Sequence, residues 1–466
     1  MKTNFDVAII GGGPGGSSAA TYLSKLGYEV VLFEKEKFPR DHVGESLIPF
    51  CYYKMKDLGV LEDVAKVSTK KPGVQFIDRD SKRQAIWCFD KVIEDGAKMS
   101  LHALRAPFDK VLLDNSKKCG AVIYEQHQVK EVELSNSEIV LLRVANELGE
   151  EINFKAKFLI DASGQGSFLA RKLNDKKPYD GLNRVAFFSH WVNTEYDKAL
   201  EGGLIKIIYL GGEKQGWLWV IPVGRNHLSI GVTLNNSYVK SQKLKYNGTD
   251  WKEEFYKNEI KEALNLQPIL KNAKTEHAVQ TIGDYSYSVE NKFGANFAMV
   301  GDAGAFLDPI FSSGIFVAME TAERVAKAID IKFREGNDAG QAAFEKHFVD
   351  INGAYALIEK FVRLFYEPEL LNFSHFGSAN DGYTKFQNAY EVFHYLLAGD
   401  FFTDYKKYSD FIDDLKKERN FNRFIEFVKG NANEYPNSEF CRFSYDEIYG
   451  HLPTGEQVAP GLLVEK

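Results

Sequence analysis

The stretch Phe5-Asp6-Val7-Ala8-Ile9-Ile10-Gly11-Gly12-Gly13-Pro14-Gly15-Gly16-Ser17-Ser18-Ala19-Ala20 decides the fold. Phe5, Val7, Ile9 and Ile10 make a short apolar strand that stops at a run of glycines, and Gly11, Gly13 and Gly16 fit G-x-G-x-x-G. Ala19, Ala20, Leu23 and Leu26 continue at helical spacing until Gly27, a helix stop. A second strand, Val30-Val31-Leu32-Phe33, ends in Glu34, eighteen residues after Gly16. One glycine permits the tight turn, the next lets a pyrophosphate approach the backbone, and the third lets the helix lie on the strand. The helix N-terminus favours phosphate and the acidic residue takes a ribose hydroxyl, so the unit reads as a dinucleotide cradle.

The rest of the composition narrows the class. At 466 residues the chain needs two or three structural units, and 44% hydrophobic with 26% charged residues is ordinary for a soluble globular protein. A net charge of -7 argues against a nucleic-acid partner. Cys51, Cys88, Cys119 and Cys441 are scattered without a C-x-x-C pair, which suggests neither a metal site nor a disulfide framework. No signal peptide and no bilayer-spanning apolar run is visible, so the expectation is a cytoplasmic protein without a membrane partner. Asn247-Gly248-Thr249 reads as a hairpin turn rather than a glycosylation site.

Further along, residues 38–49 are punctuated by Pro and Gly and read as a loop leading into a helix, with Arg40 and Ser46 able to hold phosphate or ribose. His42 reads as a structural histidine. Lys70 and Lys71, side by side, read on their own as a solvated turn before paired strands that end near Trp87 and Phe89. Arg105-Ala106-Pro107-Phe108-Asp109 starts a helix, and residues 122–142 alternate as a meander. Phe158-Leu159-Ile160 runs into Asp161-Ala162-Ser163-Gly164, a second strand that ends in small residues. From Val185 to Val232 the pattern is that of an inserted sheet, with Trp217 and Trp219 on one face of a strand. Phe297-Ala298-Met299-Val300 then enters Gly301-Asp302, a third such turn, with Asp302 placed for a polyol. Ser313 and Gly314 precede a long helix whose start favours an anion. Beyond about residue 336 the helices are amphipathic and rich in Phe and Tyr.

Together these residues resemble the flavin-dependent halogenases of the FAD-dependent monooxygenase superfamily, over roughly residues 4 to 335. The superfamily resemblance lies in the GGGPGG loop with Glu34, in Arg105-x-x-Phe108-Asp109, in the 161–164 stretch and in Gly301-Asp302. The halogenase resemblance lies in Trp217-x-Trp219-x-Ile221-Pro222, Gly44-Glu45-Ser46 and the 308–314 loop. It implies an α/β protein: a glutathione-reductase-type, Rossmann-like FAD-binding core over 1–335, with a substrate-side antiparallel sheet inserted at about 72–104 and 180–275. Residues 336–466 form a helical substrate cap. It also implies that FAD is held by Gly11, Gly13, Pro14, Gly16, Ser17, Glu34, Lys35, Arg40, Ser46, Arg105, Asp161, Gly164, Asp302, Gly314 and Ile315.

The chemistry the resemblance implies uses FADH2, O2 and chloride or bromide, the halide resting on the Ser313 and Gly314 amides. Hypohalous acid then reaches Lys71, which stands where the family carries its catalytic lysine, and this displaces the solvated-turn reading. Trp217, Trp219, Ile221 and Pro222 keep substrate away from the flavin. Phe311 stands where tryptophan-specific members carry a glutamate, so a phenolic or pyrrole-like ring, free or tethered to a carrier protein, is the expected substrate. With no second G-x-G-x-x-G, a separate NAD(P)H-dependent flavin reductase is the expected partner. The competing readings are an NAD(P)H-dependent aromatic hydroxylase, a prenyl-chain reductase and a flavoprotein without turnover. Anaerobic bleaching of the flavin by NADPH alone would mark the hydroxylase.

Overall fold

A computed structural model of the chain describes residues 2–78, 84–134, 138–194, 202–246, 250–263, 266–283, 286–367, 392–417, 441 and 443–452. The first strand, Asn4–Ile10, pairs in parallel with Val30–Phe33 on one side and with Glu151–Asp161 on the other. Val122–Tyr124 extends this sheet in parallel at one edge, and Phe297–Met299 pairs in parallel with the last residues of Glu151–Asp161. Its middle strands are buried on both faces, which explains their continuous apolar runs. Helices Pro14–Lys25 and Gly314–Glu335 pack against each other on one side. The glutathione-reductase-type core expected from the glycine-rich turns is therefore present.

Two local expectations change. Val122–Tyr124 is not part of the meander: it adds to Val30–Phe33 in parallel, and only Gln128–Glu133, Val140–Ala145 and the first half of Glu151–Asp161 run antiparallel. Alternation alone does not reveal which edge a short strand joins. The strand around Phe158 is eleven residues long rather than a short buried run, because its solvent-facing first half alternates polar and apolar side chains.

The second sheet has eight strands and draws on Gly73–Ile77, Gln84–Cys88, Arg184–Val192, Ile205–Leu210, Gly216–Gly224, His227–Asn235 and two short strands at 274–275 and 280–283. It is antiparallel except where Ile205–Leu210 meets Gly73–Ile77 in parallel. Along Gly216–Gly224 the two faces separate. Trp217, Trp219 and Ile221 join the main core, whereas Leu218 and Val220 face a second cluster with Phe255 and Tyr256. Trp219 lies over Gly231 of the neighbouring strand, where a Cβ would sit 2.1 Å from its ring, so a side chain there would expel the indole.

Helix Asn337–Tyr366 buries Phe344, Phe348, Ile351, Tyr355, Ile358, Val362 and Phe365, matching the expected stripe. These side chains share the main core with Val7 and Ile9. In Tyr405–Leu415, Tyr408 and Ile412 are buried. The Asn247–Thr249 turn lies outside the described residues, and the elements flanking it are helices, Asn236–Lys243 and Trp251–Lys261. Cys88 and Cys441 form a disulfide, against the expectation of none. They are 353 residues apart in sequence, so only the fold brings them together. Among the described residues no helix is long and apolar enough to cross a membrane.

Candidate active site

Three glycine-rich turns converge. Gly11 has φ +100°, and its Cβ position lies 2.4 Å from the Ala162 carbonyl oxygen, so the first turn and the 161–164 turn touch through bare backbone. At Gly16 a Cβ would sit 1.9 Å from the Gly11 carbonyl oxygen, which is why helix Pro14–Lys25 can start so close to the strand. Gly15 meets Val300 and Ala318, which joins that helix to the 301–302 turn and to helix Gly314–Glu335.

Glu34 is buried and accepts hydrogen bonds from the Gly12 amide at 2.7 Å and the Glu36 amide at 2.9 Å. It stands beside the glycine loop, as the eighteen-residue spacing predicts. Ser17 donates to the Gly12 carbonyl at 2.8 Å. Lys35 is exposed and pairs with Glu36. Arg40 lies 3.6 Å from the Cβ position of Gly13 and donates to Asp109 at 3.1 Å. Arg105 holds the same Asp109 through two bonds of 2.8 and 2.9 Å and donates to the Val43 carbonyl. Sequence spacing of 65 residues gave no hint that Arg40 and Arg105 share one carboxylate.

Asp161 spends both oxygens on its own loop, accepting from the Ser163 amide at 3.0 Å and the Leu169 amide at 2.7 Å. Its part is to shape the turn that carries Gly164. Asp302 differs: among the described residues its carboxylate accepts no hydrogen bond, and burial pushes it up to about 7 against the opposing pull of Arg105. The Asp302 carbonyl takes the Tyr287 hydroxyl at 2.6 Å, which holds the turn but leaves the carboxylate open to a ligand.

Ser313 caps helix Gly314–Glu335 without a side-chain bond, so the first-turn amides have no cap of their own. A Cβ built on Gly314 meets nothing within 4 Å, and the same holds for Gly164. Ile315 is buried behind the turn, and the buried Ser46 hydroxyl lacks a hydrogen-bond partner. Bare backbone opening onto free space, an orphaned hydroxyl and an open carboxylate are each what a bound FAD would use.

Lys71 is not in a solvated turn. It ends strand Ser68–Lys71, is 2% exposed, and donates from Nζ to the Leu47 carbonyl at 2.7 Å. Burial pulls its amine down to about 7, with the Cys51 thiol the opposing influence. Lys70 points the other way and is half-buried. Strand Ser100–Ala103 runs antiparallel alongside, with Thr69 opposite His102 and Lys71 opposite Ser100. Alternation therefore puts Thr69, Lys71, Ser100 and His102 on one polar face. His102 is fully buried and sits 2.9 Å from the Gly203 carbonyl through Nε2. Nε2 must then carry the proton, leaving Nδ1 as a buried acceptor without a partner.

Trp217 and Trp219 pack 5.4 Å apart between ring centroids. The Trp217 Nε1–H donates to Asp308 at 3.2 Å and to the Tyr366 hydroxyl at 3.0 Å, and Tyr366 donates to Asp308 at 2.7 Å. This ties the tryptophan strand to the loop before Ser313. Pro222 sits where the pairing with His227–Asn235 becomes irregular, and Ile221 lines the tryptophan face. Phe311 stacks on Phe361 at 3.8 Å. Glu45 bonds His190 Nε2 at 2.5 Å, and Glu276 approaches both His190 and His227. Burial alone would lower the His190 imidazole, but the two carboxylates raise it to about 10. Neither His102 nor this Glu45–His190 pair was legible as functional in the sequence, since their partners lie 101 and 145 residues away.

This fold and site define an FAD-dependent flavoprotein. The family described as "FAD binding domain" matches residues 4–346. A 1H-pyrrole-2-carbonyl-[peptidyl-carrier protein] chlorinase of Pseudomonas fluorescens is 31% identical over 391 residues, covering 79% of this chain and 85% of that protein. Among solved structures, a flavoprotein/dehydrogenase from Cytophaga hutchinsonii superposes with a TM-score of 0.78 at 26% identity, over 92% of this chain and 99% of that one. The flavin-dependent brominase Bmp2 superposes with a TM-score of 0.74 at 27% identity, over 88% and 99%. The chain belongs to the flavin-dependent halogenases, oxidoreductases that use FAD.

Proposed function

We propose that this protein halogenates an electron-rich aromatic ring, pyrrole-like or phenolic, with hypohalous acid captured by Lys71. The observation that carries this reading is a buried lysine with its amine near neutrality, on a polar face beside the tryptophan strand. FAD reduced by a separate reductase supplies, with O2, the oxidising equivalents that turn chloride or bromide into hypohalous acid. Gly11, Gly13, Pro14, Gly16 and Ser17 would hold its pyrophosphate, Glu34 and Lys35 its ribose end. Arg40, Ser46, Arg105, Asp302, Gly164 and Ile315 would complete the cradle, with Asp161 shaping the turn at Gly164.

The halide would sit against the Ser313 and Gly314 amides, where the helix start favours an anion and no side chain fills the space. At Lys71 the neutral amine attacks the halogen of hypohalous acid. An N–X bond forms, the O–X bond breaks and water leaves. The ring then takes the halogen from nitrogen, a C–X bond forms, and the amine is restored as the ring loses its proton. His102 Nδ1, a buried acceptor on the same face, would relay that proton from the ring to the nitrogen. Phe311 cannot do so, which suits a ring already activated by its own nitrogen or oxygen. Trp217, Trp219, Ile221 and Pro222 form the wall between cofactor and substrate.

The similarity to a pyrrolyl-carrier chlorinase favours a ring presented on a carrier protein, with helices Asn337–Tyr366 and Tyr405–Leu415 contributing to its cap; the rest of the expected 336–466 cap lies largely outside the described residues. Supplying reduced FAD, O2 and bromide to a panel of pyrrolyl-carrier, free pyrrole, phenol and indole substrates tests the reading. Brominated pyrrole or phenol, detected by its isotope pattern, is expected. Hydroxylated product, or flavin reduction by NADPH without a reductase, would contradict it.

A further inference from the structure

The face of the second sheet that carries the tryptophans also gathers His190, His227 and Glu276, from strands Arg184–Val192 and His227–Asn235 and from the bend just after the short strand at 274–275. Their ligand atoms all lie within 4.8 Å of one another. His227 Nε2 is 3.2 Å and His190 Nδ1 3.7 Å from the same Glu276 oxygen. Ligands bound tetrahedrally at zinc–nitrogen distances are about 3.4 Å apart, so these two spacings bracket what an ion needs. Among the described residues, His227 Nε2 and Glu276 Oε2 are buried atoms without a hydrogen-bond partner, in ion-pair reach of each other, and Glu276 Oε2 also of His190.

The surroundings are also those of a metal site. His190 gives Nε2 to Glu45 at 2.5 Å and keeps Nδ1 towards Glu276. A carboxylate on the far nitrogen of a ligating histidine fixes ring orientation and raises basicity. Glu45 is 2% exposed, whereas His190, His227 and Glu276 are 12%, 10% and 20% exposed, so an inner orienting group is backed against ligands that solvent reaches. We propose that His190, His227 and Glu276 bind one divalent transition-metal ion of the zinc class, with Glu45 orienting His190.

The ion would stand where an imidazolium proton otherwise supplies the positive charge between two carboxylates. Two carboxylates and two imidazoles around a dication give a neutral cluster, which a buried site requires. Its consequence is mechanical. Glu45 is two residues before Leu47, whose carbonyl holds Lys71, and Ala103 donates to the Glu45 carbonyl at 2.7 Å. The ion therefore stiffens the loop that orients Lys71. Binding itself does not depend on what Lys71 does.

The test uses the full-length FAD-loaded protein, stripped with a chelator and titrated with Zn2+ by calorimetry and with Co2+ by visible spectroscopy. A single equivalent of each is expected, with the absorption of a tetrahedral or five-coordinate Co2+ site. His227→Ala and Glu276→Gln should abolish it, and Glu45→Gln should weaken it by about 10–100-fold. Retained flavin absorbance and melting temperature show that a variant is folded; should His227→Ala fail this check, partly exposed Glu276 carries the test. Absent or substoichiometric binding, or one equivalent that survives Glu276→Gln, overturns the proposal. Failure here with Lys71-dependent product intact leaves the halogenation reading standing.

Discussion

Lys71 Nζ and the Leu47 carbonyl oxygen are 2.7 Å apart, a bond between the end of a short strand and the loop that follows Gly44-Glu45-Ser46. The loop itself is pinned to strand Ser100–Ala103, through Leu47 donating to Leu101 at 2.9 Å and a bridge from Ser46 to His102. The lysine is thus aimed by backbone on two sides. Among the described residues no carboxylate neutralises it, so burial favours the free amine.

Because the amine falls from 10.5 to about 7 on folding, its sign in stability is clear. The unfolded chain holds the proton more tightly between these values, so stability rises with pH from about 7 to 10.5 and the full penalty is felt below 7. Lys71→Met is expected to raise unfolding free energy at pH 6 by on the order of 5 kcal/mol, with the gain vanishing above pH 10. Denaturant titrations at several pH values check this. A destabilised variant at pH 6 would mean that the lysine is compensated.

The same amine sets the expected pH profile. Product per reduced flavin should rise through a midpoint near pH 7 as Lys71 loses its proton, and peroxide release should fall in parallel. Product falling across that midpoint would indicate that the ammonium acts by hydrogen bonding.

Glu34→Ala should weaken FAD binding by roughly 1.5–3 kcal/mol, read by fluorescence titration, because it loses a charged hydrogen bond. Some of that loss comes through the loop, since Glu34 also fixes the Gly12 amide at 2.7 Å. Unchanged affinity would place the ribose elsewhere.

Gly314→Val fills space in which a Cβ meets nothing within 4 Å. If that space is the halide's, the variant should require far more bromide, or lose halogenation, while still consuming O2 and releasing peroxide. Ser313→Ala should change little, since its amide is the assigned contact. Loss of FAD binding and O2 consumption together in Gly314→Val would mean that the turn contacts only the flavin.

Much of the fold was legible because each glycine turn follows a buried strand, and backbone contact such as Gly16 on Gly11 leaves a local sequence mark. The inserted sheet was legible for the same kind of reason: Trp217 and Trp219 declare a face by alternation. What stayed hidden depends on distant pairs. Only the resemblance told Lys71 from Lys70 in the sequence, and the physical difference between them, burial, comes with strand pairing. Asp308, Trp217 and Tyr366 meet only after the helix Asn337–Tyr366 docks. Cys88 finds Cys441, and Glu45 finds His190, by the same route.

The most direct measurement compares wild type with Lys71→Ala, following FAD binding, O2 consumption and halogenated product in the same reaction with bromide. The account predicts that FAD affinity and O2 consumption stay near wild type while product is lost and oxidant escapes as hypobromous acid or peroxide. Wild-type product yield from Lys71→Ala would contradict it and remove Lys71 from the chemistry.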